Sequence, residues 1–286
     1  MGPCLFRLHG TERLPQAAWT RFVEGYSPPE GPHARVVDVR FGDELDDAPG
    51  LDEGIDLRPT GEGGLEHAGP VWSLAVTGLG AGESVVADVR FRSAVAARGV
   101  HVEALVMLFR ALTATVAVLD GGLLVHGSAF VPEGGRGALV AVGPSGHGKS
   151  TMLSRLPLAL ALADDTVLLQ RDAPGVWQVY GTPFAGKERL PRVGGPVRLQ
   201  RVLALTPHAP RLALEALDPG AAFRELVTRS FWFVREGELA GRLMALVHAL
   251  AAEVPVHRLA SSLHHDIAPL FTSAAPATQE APCSAA

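Results

Sequence analysis

The sequence predicts an α/β fold built on a mixed sheet, α+β in character. A β-rich N-terminal region (1–98) precedes an α/β unit (99–272) and a tail (273–286). Three observations predict this. Short alternating or β-branched runs dominate the first hundred residues. A long helix, apolar on nearly every side, follows them. Beyond it, apolar strands alternate with helical stripes around a glycine-rich loop that is flanked by a strand and a helix.

In chain order, strands are expected at 4–8, 35–41, 71–77 and 84–91. A helix is expected over 14–26, where Trp19, Phe22 and Val23 recur at i, i+3, i+4. Gly, Pro and acidic runs such as 42–54 read as loops. His9, His33 and His67 stand isolated, and nothing catalytic gathers around them. Residues 101–119 predict a buried helix, ended by Asp120-Gly121-Gly122. Strands at 123–131 and 137–142 follow, joined by a turn at 132–136. A helix over 150–156 stops at Pro157, because the residue before proline disfavours the α region. Strand segments at 158–163 and 166–169 flank Asp164-Asp165, and further strands are expected at 176–180, 197–205 and 256–259. Helices are expected at 221–228, 238–253 and 264–271. In the second of these, Leu239, Leu243, Leu246 and Leu250 make a core-facing stripe. The Ala/Pro/Ser-rich residues 273–286 predict a disordered tail.

Composition narrows the classes. A chain that is 47% hydrophobic and 19% charged is globular. A net charge of −5 argues against a nucleic-acid partner, which asks for a basic patch. The two cysteines, Cys4 and Cys283, offer neither metal-ligand spacing nor a disulfide framework. The apolar stretch 104–119 is interrupted by Arg110 and predicts a core helix, with no membrane partner. The first residues lack the apolar core of a signal peptide. A cytoplasmic location is expected. Of the 25 basic residues, only Lys149 and Lys187 are lysine, and there is no asparagine. Codon bias accounts for this pattern, and it singles out the positions where an ammonium stands instead of a guanidinium.

Lys149 lies in the strongest motif. Gly143-Pro144-Ser145-Gly146-His147-Gly148-Lys149-Ser150 reads GxxxxGK[ST], with a strand before it and a helix after it. Glycines let the backbone curl so that successive N–H groups converge on phosphate oxygens. The helix N-terminus adds partial positive charge. Lys149 can reach the β- and γ-phosphates, and the Ser150 hydroxyl can ligate Mg²⁺. Gly143, Ser145, Gly146, His147, Gly148, Lys149, Ser150 and Thr151 are thus candidate binders of a nucleotide, with ATP and Mg²⁺ as the implied cofactors.

Two features flank the loop. Upstream, Leu123-Leu124-Val125-His126-Gly127-Ser128 places a histidine in an apolar strand. Downstream, Leu162-Ala163-Asp164-Asp165 ends an apolar run in two carboxylates. Neighbouring strand residues point to opposite faces, so both aspartates serve one site only if the strand ends or bends there.

The order His-Gly, phosphate loop, Ala-Asp-Asp resembles the catalytic domain of the HPr kinase/phosphorylase family, over about residues 100–270. That family belongs to the P-loop proteins with a PEP-carboxykinase-like fold. It includes small HPr-kinase-related proteins that phosphorylate serine on peptide precursors, lasso-peptide kinases among them. The resemblance implies a P-loop kinase domain over 99–272. It also implies an ATP- and Mg²⁺-dependent transfer to a serine hydroxyl of a peptide or small protein. By the same resemblance Asp164 is the general base, Asp165 holds Mg²⁺ with Ser150, and His126 orients the carboxylate or γ-phosphate. The roles of the two aspartates are interchangeable at this stage.

The family's glutamate-bearing metal segment has no obvious counterpart in 179–187, and the first ~100 residues do not match its N-terminal domain. Both departures weigh against HPr as acceptor and against phosphorolysis. Lys187, Arg189 and Arg192 are candidate contacts to phosphate or to the acceptor peptide at the mouth of the site. A small-metabolite kinase and a non-catalytic nucleotide-sensing module are the alternatives.

Overall fold

Alternation at a period of two builds the first sheet. A computed structural model of the chain describes residues 4–28, 35–47, 54–61, 63–80, 84–173, 175–184, 186 and 192–272. In chain order the first part comprises β1 (Cys4–His9), α1 (Gln16–Val23), β2 (Tyr26–Ser27), β3 (Arg35–Phe41), β4 (Arg58–Pro59), β5 (Leu65–Ala68), β6 (Trp72–Thr77), β7 (Val85–Phe91), α2 (Ser93–Arg98) and α3 (His101–Leu119). Six strands pair in the order β1-β3-β7-β6-β5-β4. The β1–β3 and β3–β7 pairs are parallel and the rest antiparallel. Val37, Val39, Trp72, Leu74, Val85 and Val89 fill one face, and they join one core with Phe22 of α1 and Leu105, Phe109 and Leu112 of α3. The expected helix at 14–26 is shorter. A 3-10 turn at Thr11–Arg13 precedes Pro15, and Gly25 turns the chain with φ +68°. The two-residue strands β2 and β4 show no periodicity in sequence, which is why they go unread there.

The apolar girth of α3 has a structural cause. It packs against α1 and the first sheet on one side and against β8 (Gly122–Pro132) and α6 (Gly237–Glu253) on the other. Among the described residues it is the one helix long and apolar enough to cross a membrane, and 67% of its apolar window is buried inside the fold.

The remaining elements are β9 (Ala138–Val142), α4 (Lys149–Arg155), β10 (Leu158–Ala163), β11 (Thr166–Ala173), β12 (Val176–Tyr180), β13 (Arg192–Val193), β14 (Val197–Thr206), β15 (Ala213–Ala216), α5 (Pro219–Val227), β16 (Val256–Ala260) and α7 (Pro269–Thr272). Eight strands form a mixed sheet, β10-β8-β11-β12-β14-β16-β15, with β9 bridging β8 and β14. The pairings therefore close a circuit, β8–β11–β12–β14–β9. Strand β9 is buried on both faces. Ala138, Val140 and Val142 pack with α5 and α6, while Leu139 and Ala141 pack with Met152 and Leu153 of α4. The whole is a mixed α/β structure with parallel and antiparallel pairs, α+β in character.

The first region also reaches the second sheet through a two-stranded parallel pair, β2 with β13 (Tyr26↔Arg192, Ser27↔Val193). The helix expected at 264–271 is only the short α7. Residues 273–286, like Lys187 and Arg189, lie outside the described residues.

Candidate phosphate site at the β8–β9 strand ends

Strand β9 delivers the chain into the glycine loop, and α4 carries it away. Gly146 and Gly148 both have φ +84°, a left-handed conformation in which a side chain costs about 1–2 kcal/mol. A Cβ at either would meet nothing within 4 Å, so backbone torsion and not crowding requires glycine there. Lys149 opens α4 and is 7% exposed. Its Nζ donates to the carbonyls of Gly143 (2.8 Å) and Pro144 (3.0 Å), folding the ammonium over the loop. Burial pulls its pKa down, against the opposing charge of Asp165. His147 Nδ1 lies 3.2 Å from the Leu205 carbonyl. Ser150 is half-buried; Ser145, Gly146 and Thr151 are exposed.

His126 comes from the middle of β8, the strand beside β9. Gly127 is required by close approach: a Cβ there would stand 2.8 Å from the Ala141 carbonyl of β9. Across β8, Ala163 of β10 pairs with Ala129 and Thr166 of β11 pairs with His126. Strand β10 ends at Ala163 and β11 begins at Thr166, so Asp164 and Asp165 form a bend between two strands that share β8 as neighbour. The Gly127 N–H donates to the Asp165 carbonyl (2.9 Å), and the Ser128 hydroxyl donates to the Asp164 carbonyl (3.3 Å).

Across this bend the carboxylates take separate sets of partners. Asp164 is buried, accepting from the Gly186 N–H (2.9 Å) and facing the Arg192 guanidinium at 3.6 Å. Burial raises its pKa, with Gly186 and Arg192 pulling the other way. Arg192 is 1% exposed and donates to the Glu24 carbonyl at 2.8 Å, so it sits inside the fold and not at a mouth. Asp165 points to the other side, where it meets Arg110 (2.6 Å), the Thr166 hydroxyl (2.7 Å) and His126 Nδ1 (3.7 Å). His126 is held below its usual pKa by burial and by Lys149, with Asp165 opposing.

Lys149, His126 and Asp165 therefore meet in one place, from three separate stretches of chain. Sequence reasoning missed the groups that complete it. Arg110 of α3 lies 5.3 Å from the Phe184 ring and 5.1 Å from the Phe231 ring. Its sequence signal was being the lone cation in an apolar helix. Arg229 receives the His126 backbone N–H on its carbonyl (2.7 Å), and its positive charge repels that of Lys149 and lowers the Lys149 pKa further. A partly open cavity of about 180 Å³ adjoins the loop, lined by Gly146, His147, Thr151, Arg155, His208 and Leu263 among others. A cavity of about 960 Å³ lies elsewhere, on the outer face of the first sheet. Its Arg40, Arg58, Arg90, Asp56, Glu66 and Asp88 balance in charge. The lining of the loop-side cavity does not include Lys149, His126 or Asp165.

Among the described residues no cluster of three or more His, Cys, Asp or Glu could hold a metal. Mg²⁺ carried in on phosphates would ask little of the protein, since that ion keeps water and substrate oxygens as most of its ligands. No protein-family model matches the chain, and no curated protein matches it either.

Proposed function

We propose that the protein is a cytoplasmic ATP- and Mg²⁺-dependent kinase that phosphorylates a serine hydroxyl on a peptide or small protein. What carries the reading is the convergence of Lys149, His126 and Asp165 beside a glycine loop of GxxxxGKS sequence. A binding module needs the loop and its lysine. It does not need a carboxylate and a neutral histidine beside them. The P-loop kinase domain, 99–272, is part of the same proposal.

Phosphoryl transfer demands positioning and charge neutralisation more than covalent help. The loop N–H groups and Lys149 would hold the β- and γ-phosphates, and Ser150 would contribute a metal ligand. Mg²⁺, when bound, neutralises charge on the transferring group. Asp165, at 24% side-chain exposure, is the accessible carboxylate; Asp164, at 0%, is not. We therefore give Asp165 the contact with the acceptor hydroxyl. Its Oδ2 is taken by Arg110 and Thr166, which leaves Oδ1 to accept the proton. His126, kept neutral by burial and Lys149, orients that oxygen.

The experiment is transfer of labelled γ-phosphate from ATP to serine-containing peptides, with the site of labelling mapped. Asp165→Asn should cut turnover by roughly 10²–10⁴-fold with little change in MgATP affinity. Lys149→Ala should weaken both. ATP consumption with a small metabolite, and no labelled peptide, would replace the acceptor class. Unchanged turnover in Asp165→Asn would remove the carboxylate from the chemistry.

A further inference from the structure

Arg110 is placed where a metal-free site needs it. Its guanidinium donates to Asp165 Oδ2 at 2.6 Å. It lies over two aromatic rings, Phe184 and Phe231, at 5.3 and 5.1 Å from their centroids. Its Nε is buried with no hydrogen-bond partner among the described residues. A guanidinium fixed in this way stays with its carboxylate and cannot readily follow an incoming ligand. Lys149 feels the charge of Asp165, so a phosphate arriving at Lys149 would feel it too, with opposite sign. An unneutralised carboxylate there would repel a polyphosphate, because the partly buried setting screens little.

We propose that Arg110 is a built-in counter-ion to Asp165, allowing the glycine loop to accept a nucleoside polyphosphate before, or without, a divalent metal. The inference rests on the nucleotide-binding reading and deepens it. Arg110 is a positioning residue: it acts through Asp165 and touches no phosphate. Metal-free nucleotide binding then depends on Arg110. Metal-loaded binding depends on it much less, because the cation on the phosphates supplies the missing charge.

The test is calorimetric titration of ATP into the full chain, once with excess EDTA and once with Mg²⁺. Arg110→Met should weaken binding in EDTA by roughly 10-fold or more and in Mg²⁺ by less than about 3-fold. Arg110→Lys, which keeps the charge, should retain most of the EDTA affinity. Arg110→Met combined with Asp165→Asn should recover it, since the repelling charge is gone. Asp165→Asn alone, which leaves the counter-ion free, should bind in EDTA at least as tightly as wild type; this arm reads the proposal even if Arg110→Met fails to fold. Equal losses in both conditions, or a loss that Asp165→Asn does not recover, would mean that Arg110 touches phosphate or only supports the fold, and would overturn the proposal. Wild type that binds ATP alongside an unchanged Arg110→Met would remove this inference alone. Wild type that binds ATP in neither condition would remove the nucleotide reading and this inference together.

Discussion

Asp164 and Asp165 share a peptide bond and almost nothing else. Asp164 is enclosed with Arg192 and the Gly186 N–H, while Asp165 opens toward Lys149 and His126. Because burial raises the Asp164 pKa, the fold favours its protonated form. Its contribution to stability is therefore complete below the ordinary carboxylate value and is lost as pH rises through the raised one. Asp164→Asn has no such slope. Its stability relative to wild type should improve between about pH 4 and about pH 7, as read by urea unfolding at both. Turnover in that variant should fall far less than in Asp165→Asn; an equal fall would return Asp164 to the chemistry. The sequence left their orientation open, because it turned on whether the strand ends or bends there; the chain does bend, and the carboxylates still diverge. Their partners were not legible. Arg110 and Arg192 stand 55 and 28 positions away from their aspartates, and no local spacing links them (165 − 110 and 192 − 164).

Elements set the site through their ends. β8 serves two neighbours along one edge in succession, β11 and then β10, and β9 along the other. His126 and the loop thereby emerge side by side. The strand–loop–helix order was readable because glycine, lysine and the flanking apolar run each leave a local mark. The register across β8 leaves none, and it is what decides which aspartate the loop sees. Gly148→Ala tests the loop's geometry. With φ at +84°, the alanine should cost about 1–2 kcal/mol of stability by denaturant unfolding and weaken ATP binding. Gly134→Ala, also at positive φ (+71°) but in the turn after β8, should cost a similar amount of stability and leave ATP affinity untouched.

At the scale of the molecule, the first sheet is wedded to the rest through α3. Phe109 makes ring contacts with Phe6 (5.5 Å), Trp19 (5.9 Å) and Phe22 (5.3 Å), and Phe22 in turn contacts Phe184 (6.1 Å) beside Arg110. One core thus spans residues on both sides of position 98, from Val37 to Leu124, Leu168 and Val234. The sequence showed α3 as buried but not what buries it, because an all-round apolar helix does not name its neighbours. Phe109→Ala should destabilise by about 3–5 kcal/mol. The loss should appear in one cooperative transition, followed together by tryptophan fluorescence, from Trp19 and Trp72 in the first region and Trp177 and Trp232 in the second, and by far-UV circular dichroism. Two separated transitions would show that the halves melt independently.

The separate partners of Asp164 and Asp165 also bear on how relatives should be recognised. A search that scores the two aspartates as one motif treats as a unit what the molecule uses separately. Across homologues, position 165 should covary with position 110, and position 164 with position 192, as two independent pairs. A lineage that trades Arg110 for a neutral residue should tolerate change at Asp165 sooner than at Asp164. An alignment deep enough to resolve pairwise covariation checks this, and a single 164–165 coupling with neither arginine involved would contradict it.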